Sequence, residues 1–369
     1  MKNIMIIIDG MHDEKITVLD NLTPLEAAEA ANIQHMKNKG SYGLFNTAPE
    51  GFNVDSLTCI LTLLGQSKEN IPSGRAYFEA LAEGLHIKSN ELIMRCNLIS
   101  IDKDGYLKSS TGGNIGEEKY YELFKRYERV LEEEKFQMHH MSTYKNLLII
   151  KNSKLDKVTD YPPHQNIGKL FNELIPKEKL LKEFVLQGIK ALNDKEIRYG
   201  FLPWGLSKKE AIASFEKLHN IKSASVCHTE IVRGISIAMG MHTPKLKYAT
   251  ADIDTNLFEK ANMTLELIKE YDFVLLHING ADEAAHRKDA REKTSFIKRV
   301  DSELIYNILD NIDEEVNVLV TSDHTTLCDN GSHKGDLQPF VIYNKKENTR
   351  KNLGIVDGKR SIPLMKEYK

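Results

Sequence analysis

Cysteine is scarce in this chain, and the four that occur, Cys59, Cys96, Cys227 and Cys328, are scattered without a CxxC pair. That spacing argues against a thiolate metal cluster or a disulfide scaffold, and a reducing cytoplasm is the expected compartment. No apolar run approaches the roughly 18 residues of a membrane span. The run from Ile4 to Ile8 stops at Asp9-Gly10, too short for the apolar region of a secretion signal. Neither sign of charge dominates: 50 basic and 53 acidic residues leave a net charge of -3, so no global field recruits nucleic acid or an anionic membrane. A small molecule is the expected partner. Internal repeats and low-complexity segments are also lacking, and the sequence carries no signal for an oligomeric state.

What is present is an ordinary globular composition on a chain of 369 residues, long enough for about two domains. The start reads strand, turn, helix. Thr23-Pro24-Leu25-Glu26 forms a capping box that opens a helix expected to run through Ala31. A second strand is expected over Gly40 to Phe45, and helices over Ser56 to Leu64 and Gly74 to Ala82. The middle differs in texture, with strands expected at Leu92 to Ile101, Gly105 to Lys108 and Leu147 to Lys151 around a charged helix from Glu117 to Lys135. Strand and helix alternate again from about Phe201. The pattern predicts a parallel-sheet α/β core, residues 1–87 and 176–369, interrupted by an inserted cap at 88–175.

Three acid-and-histidine clusters stand where apolar runs end: Asp9, then Asp282 with His286, then Asp323, His324 and His333. Open α/β sheets bind ligands beyond the carboxyl ends of their strands, so segments distant in sequence can meet there. Taken singly, each has a bland reading. Asp9 is an ordinary turn-former, Asp282 and His286 a solvated i, i+4 pair, and His333 a loop histidine. Together, three carboxylates and three imidazoles suit divalent Mn, Zn, Co or Fe and are numerous enough for two ions. Ser56, at the start of an apolar helical stretch, reads locally as a helix cap. Beside a metal cluster it becomes a candidate nucleophile. Arg75 and Arg95 are candidate clamps for phosphate or carboxylate, and the glycine-rich stretch from Thr111 to Gly116 is a loop of the cap.

With these residues in view, the chain resembles the archaeal-type, cofactor-independent (2,3-bisphosphoglycerate-independent) phosphoglycerate mutases of the alkaline phosphatase superfamily. The resemblance runs through Asp9-Gly10-Met11, Pro49-Glu50-Gly51, Ser56, Gly74-Arg75, Arg95-Cys96-Asn97-Leu98, Pro203-Trp204-Gly205, Asp282 with His286, Asp323-His324 and His333. It implies an alkaline-phosphatase-like parallel-sheet core sandwiched by helices, with an inserted α+β cap. It also implies that Ser56 is the phosphorylated nucleophile and shares one metal with Asp9, Asp323 and His324. Asp282, His286 and His333 would hold the other, with Mn2+ expected and Zn2+, Co2+ or Fe2+ as alternatives. The implied substrate is a small phosphorylated metabolite held by Arg75, Arg95, Asn114, Lys145 and Lys208. Asn114 stands where the family commonly has histidine, and Lys145 where it has arginine. The segment Thr47 to Phe52 is closer to a bacterial branch proposed as homoserine kinases. A kinase-type phosphotransferase, a phosphatase and a ligand-binding member without turnover are therefore the competing readings.

Overall fold

Residues Asn3 to Ile8 are all buried, and a strand with no exposed face belongs in the middle of a sheet covered on both sides. A computed structural model describes the chain except residues 114, 154, 194–196, 347–349 and 369. It divides into two compact units, Met1–Pro72 with Ile212–Lys369, and Ser73–Ala211. In chain order, the first unit opens with β1 (Lys2–Ile8) and β2 (Ser41–Asn46). The second supplies β3 (Leu92–Ile101), β4 (Leu107–Ser109), β5 (Phe136–Ser142), β6 (Lys145–Ile150) and β7 (Arg198–Lys208). The first unit resumes with β8 (Ser223–Val226), β9 (Phe273–Ile278), β10 (Val316–Thr321), β11 (Thr325–Thr326), β12 (His333–Lys334), β13 (Gln338–Tyr343) and β14 (Lys351–Asp357).

The first unit is built on a seven-stranded sheet in the order β14-β2-β13-β10-β1-β9-β8. Strands β10, β1, β9 and β8 are parallel neighbours, so their carboxyl ends share one edge. Ile4, Ile6 and Ile8 of β1 pack with Val274 and Leu276 of β9, Val318 of β10, and Leu257 and Phe296 from helices Leu257–Glu270 and Ala290–Arg299. The expected α/β sandwich is present, with one correction to the parallel sheet. Strand β13 runs antiparallel to both β10 and β2. It follows β10 through the short β11-β12 hairpin instead of a helical crossover, and only a crossover could have kept it parallel.

The capping box forms as expected, with Thr23 and Glu26 each bonding the other's backbone, but its helix is only Pro24–Ala27. A separate helix, Ala31–Lys39, follows after Glu29 takes the left-handed conformation at φ 51°. Its amino end is capped from afar. Asp301 accepts from the Asn32 and Ile33 amides at 3.0 and 2.9 Å. Asp301 itself lies in a π-helical turn, Val300–Ile305.

In the second unit β3 pairs antiparallel with β4, β6 and β7, and β6 pairs with β5. The unit extends beyond the 88–175 segment read from composition. Strand β7 is hydrogen-bonded along β3, from Leu92 opposite Lys208 to Ile101 opposite Arg198, which draws residues 198–208 into it. Tyr127 lies at its core, stacked on Phe201 at 5.3 Å between ring centres and donating to the Phe184 carbonyl at 2.5 Å. The charged helix is Glu117–Glu128, shorter than expected, and β5 is a strand that the sequence reading left unassigned. No described helix is long and apolar enough to cross a membrane.

Candidate active site

The three clusters meet at the shared carboxyl edge of the first unit's parallel strands. Asp9 follows β1, Asp323 and His324 follow β10, and Asp282 and His286 lie on the helix Gly280–His286 that begins just after β9. His333 arrives on β12. Gly10 makes the approach feasible. At φ +65°, its missing Cβ would stand 2.7 Å from the Asp282 Cα, so any other residue would push the β1 loop off the Asp282 helix.

Two sets of ligand-type atoms gather within 4.8 Å of one another: Asp9, Asp323 and His324, and Asp282, His324 and His333. His286 joins the second set, its Nε2 3.2 Å from Asp282 Oδ2 and 3.2 Å from His333 Nε2. His324 reaches both sets. The helical spacing expected of Asp282 and His286 is therefore the spacing observed.

The histidines are oriented as ligands are. His286 Nδ1 donates to the Gly331 carbonyl at 2.8 Å, and His333 Nδ1 to the Val54 carbonyl at 3.2 Å. A carbonyl only accepts, so both Nδ1 atoms carry a proton; whenever the rings are neutral their Nε2 lone pairs face the site, and when they are charged Nε2–H points at Asp282 instead. The carboxylates are arranged for a cation as well. Asp9 Oδ1 and both Asp323 oxygens are buried with no hydrogen-bond partner among the described residues. Buried charges left in that state are costly, and a divalent ion is the group that such a donor set fits.

The electrostatics follow from this crowding. Burial, reinforced by the charges of Asp323 and Asp282, lifts Asp9 well above the usual carboxylate range. Burial acts on Asp282 too, but hydrogen bonds from His286 and His333 overcome it and hold Asp282 well below that range. The same Asp282 bond raises His286, whereas burial lowers His324.

Ser56 opens the helix Ser56–Leu63, but it is not the cap. Asp55 is, its carboxylate accepting from the Thr58 amide at 2.9 Å. The Ser56 hydroxyl instead lies 3.3 Å from His324 Nε2. The local reading of this serine as a helix cap is thus replaced by one in which its neighbour does the capping.

One site residue was missed from sequence. His277 sits inside the run Phe273–Ile278, which the sequence reading closed at Leu276. Its Nε2 lies 3.3 Å from Asp9 Oδ2, and burial pushes it down to about 4, so it stays neutral. The available signal was a histidine one residue before the end of an otherwise apolar buried strand.

Of the residues expected to bind substrate, Arg75, Arg95 and Lys145 gather in the second unit around buried Glu79. Arg75 Nε meets Glu79 Oε1 at 2.8 Å and Arg95 Nε meets Oε2 at 3.1 Å. Burial opposes ionisation of Glu79, but Arg95, Arg75 and Lys145 together hold it below its ordinary value. Arg95 also lies over the Trp204 ring at 4.3 Å, and the Trp204 indole donates to Asn97 at 3.0 Å. Lys208 is exposed at the end of β7, opposite Leu92. Asn114 lies outside the described residues.

An α/β sheet whose strand ends gather carboxylates, Nε2 lone pairs and a serine hydroxyl defines a metal-dependent enzyme class. A family model for the metalloenzyme superfamily matches residues 1–361. Among curated relatives, the 2,3-bisphosphoglycerate-independent phosphoglycerate mutase of Methanopyrus kandleri is 30% identical, over 93% of this chain and 87% of the relative. The enzyme of the same name from Methanosphaera stadtmanae is 31% identical, over 93% and 88%. A solved structure of a protein from Pyrococcus horikoshii superposes with a TM-score of 0.82 at 27% identity, covering 99% of this chain and 96% of that one. The cofactor-independent phosphoglycerate mutase of Thermoplasma acidophilum shares the fold at a TM-score of 0.60 and 19% identity, with both chains fully covered. The chain belongs to the 2,3-bisphosphoglycerate-independent phosphoglycerate mutase family of the metalloenzyme superfamily.

Proposed function

We propose that this protein is a metal-dependent phosphoglycerate mutase, interconverting 3-phosphoglycerate and 2-phosphoglycerate through a phosphoserine at Ser56. The observation that carries the reading is the Ser56 hydroxyl, not used as a helix cap, 3.3 Å from His324 Nε2, with Asp9 Oδ1 and both Asp323 oxygens nearby and without a hydrogen-bond partner among the described residues. Asp9, Asp323, His324 and Ser56 would hold one ion, and Asp282, His286 and His333 a second, with Mn2+ the expected metal. Bound divalent ions supply Lewis-acid stabilisation of the charge that develops during phosphoryl transfer.

The chain's own residues supply the rest. Ser56 Oγ attacks the substrate phosphorus in line as the phosphorus–oxygen bond to the glycerate breaks, the proton lost by the serine hydroxyl balancing the one gained by the departing glycerate oxygen, and the amino end of its helix favours the incoming anion. The phosphoserine then passes its phosphoryl group to the other hydroxyl of the same glycerate. Arg75, Arg95, Lys145 and Lys208, all residues of the second unit, would bind phosphate and carboxylate through charge-assisted bonds worth about 1.5 to 3 kcal/mol each. Glu79 keeps the two guanidinium groups as an oriented pair.

The test is an assay of the purified, Mn2+-loaded protein against 3-phosphoglycerate, homoserine with ATP, and a simple phosphate ester. Mutase turnover is expected, together with its loss and retained Mn2+ binding in Ser56→Ala. Phosphorylation of homoserine, ester hydrolysis alone, or substantial turnover by Ser56→Ala would overturn the proposal.

A further inference from the structure

The geometry points to Thr326 as a positioning residue that fixes the tautomer of His324 and couples the two ligand sets to each other. The inference rests on the reading of His324 and Asp282 as metal ligands. Thr326 is fully buried on β11, and its hydroxyl has one hydrogen to give. That hydrogen goes to Asp282 Oδ1, 2.6 Å away, because a carboxylate can only accept. The same oxygen lies 3.2 Å from His324 Nδ1. With its hydrogen spent on Asp282, Thr326 can only accept from the ring, so Nδ1 carries the proton. Nε2 then keeps its lone pair, standing 3.3 Å from Ser56 Oγ, 3.6 Å from Asp9 Oδ1 and 3.4 Å from Asp323 Oδ2.

For His286 and His333 this orienting role falls to backbone carbonyls, which stay acceptors whatever happens around them. His324 differs, because its acceptor is a side-chain oxygen whose own donor is committed to Asp282. Under the proposed assignment to two ions, the position of the second ion's Asp282 therefore decides which nitrogen of the first ion's His324 is free.

Thr326 is also held rigidly. Its carbonyl accepts from Lys293 Nζ at 2.8 Å and its amide donates to the His12 carbonyl at 3.3 Å. Lys293 in turn pairs with Asp13 at 2.8 Å, both side chains essentially buried. One ammonium thus ties the loop after β1, the helix after the His286 helix, and β11 around this hydroxyl.

The experiment uses the full chain with 15N-labelled histidine, first metal-free and above the ordinary imidazole pKa of about 6.5. Ring-nitrogen NMR, with His324 assigned by its loss in His324→Gln, is read for the wild type, Thr326→Ser and Thr326→Val. The expectation is an Nδ1–H tautomer in the wild type and the serine variant, and a shift toward Nε2–H in the valine variant, which keeps the shape but not the hydroxyl. Mn2+ titration by calorimetry should then show affinity reduced about 10- to 100-fold in Thr326→Val, and within a few-fold of wild type in Thr326→Ser. An Nε2–H ring in the wild type overturns the inference even if the valine variant fails to fold. So does a valine variant that keeps both the Nδ1–H ring and wild-type affinity. Failure of the wild type to bind Mn2+ would count against the ligand assignment instead, and the metal-free tautomer would still be read independently.

Discussion

Asp55 and Ser56 divide one helix terminus between them, and the division matters because a capping serine would have its lone pair committed to the backbone. With Asp55 accepting the Thr58 amide, the serine oxygen is left for chemistry. Around it, protons and metal compete for the same atoms. Asp9 and His286 both hold protons more tightly than free side chains do in the metal-free protein. Both must release them on binding a divalent ion, so metal affinity should rise with pH, through and beyond the ordinary imidazole value of 6.5. Calorimetry in buffers of different ionisation enthalpy would report that proton release, and a pH-independent affinity with no release would contradict it. At this scale the sequence was most readable for the six acids and histidines, since three such clusters, each ending an apolar run, stand out together where each alone would not. His277 and Thr326 were not readable. The role of His277 depends on register, its one local sign being an imidazole inside an apolar run, and that of Thr326 on which oxygen faces which ring, which leaves no trace in local composition.

Elements were legible where their signals are local and obscure where a distant residue completes them. The capping box at Thr23 and the run in β1 are self-contained. The helix Ala31–Lys39 is started by Asp301, which is 269 positions from Asn32 in the chain. The antiparallel direction of β13 depends on a two-strand hairpin with no strong pattern of its own. The helix Ala290–Arg299 carries the clearest energetic test. Lys293→Met would strand the Asp13 carboxylate in the interior without its counter-charge, and breaking a buried pair in this way costs about 3 to 5 kcal/mol. Urea denaturation should show that loss. Lys298→Met on the same helix, removing an exposed and loosely paired charge, should change stability little. Equal effects of the two substitutions would show that Lys293 is not the anchor inferred from its contacts.

For the whole molecule, ligand binding and stability are linked. Ions that bind only the folded chain should raise its stability by about 2.7 kcal/mol per site at a free concentration near a hundred times Kd. Thermal melting with Mn2+ and with a chelator should show that difference, and Asp9→Asn should shrink it. An inserted unit was legible from the change in texture after Ala82, but its limits were not. Strand β7 belongs to it through pairing with β3, a partnership invisible until register is known. The sheet order has a further consequence, for how the chain is made. Strand β1 leaves the ribosome first, yet its neighbours are β9 and β10, from Phe273–Ile278 and Val316–Thr321. Its apolar run must wait, unpaired, until those strands have been made, while the contiguous Ser73–Ala211 unit already has all its strands. Long-range parallel pairing is slow and exposed to aggregation. In pulse-labelled hydrogen exchange of the refolding full chain, amides of β3 and β6 should therefore gain protection before those of β1. Until β9 and β10 emerge, a nascent chain of this protein carries the centre of its sheet as two open edges.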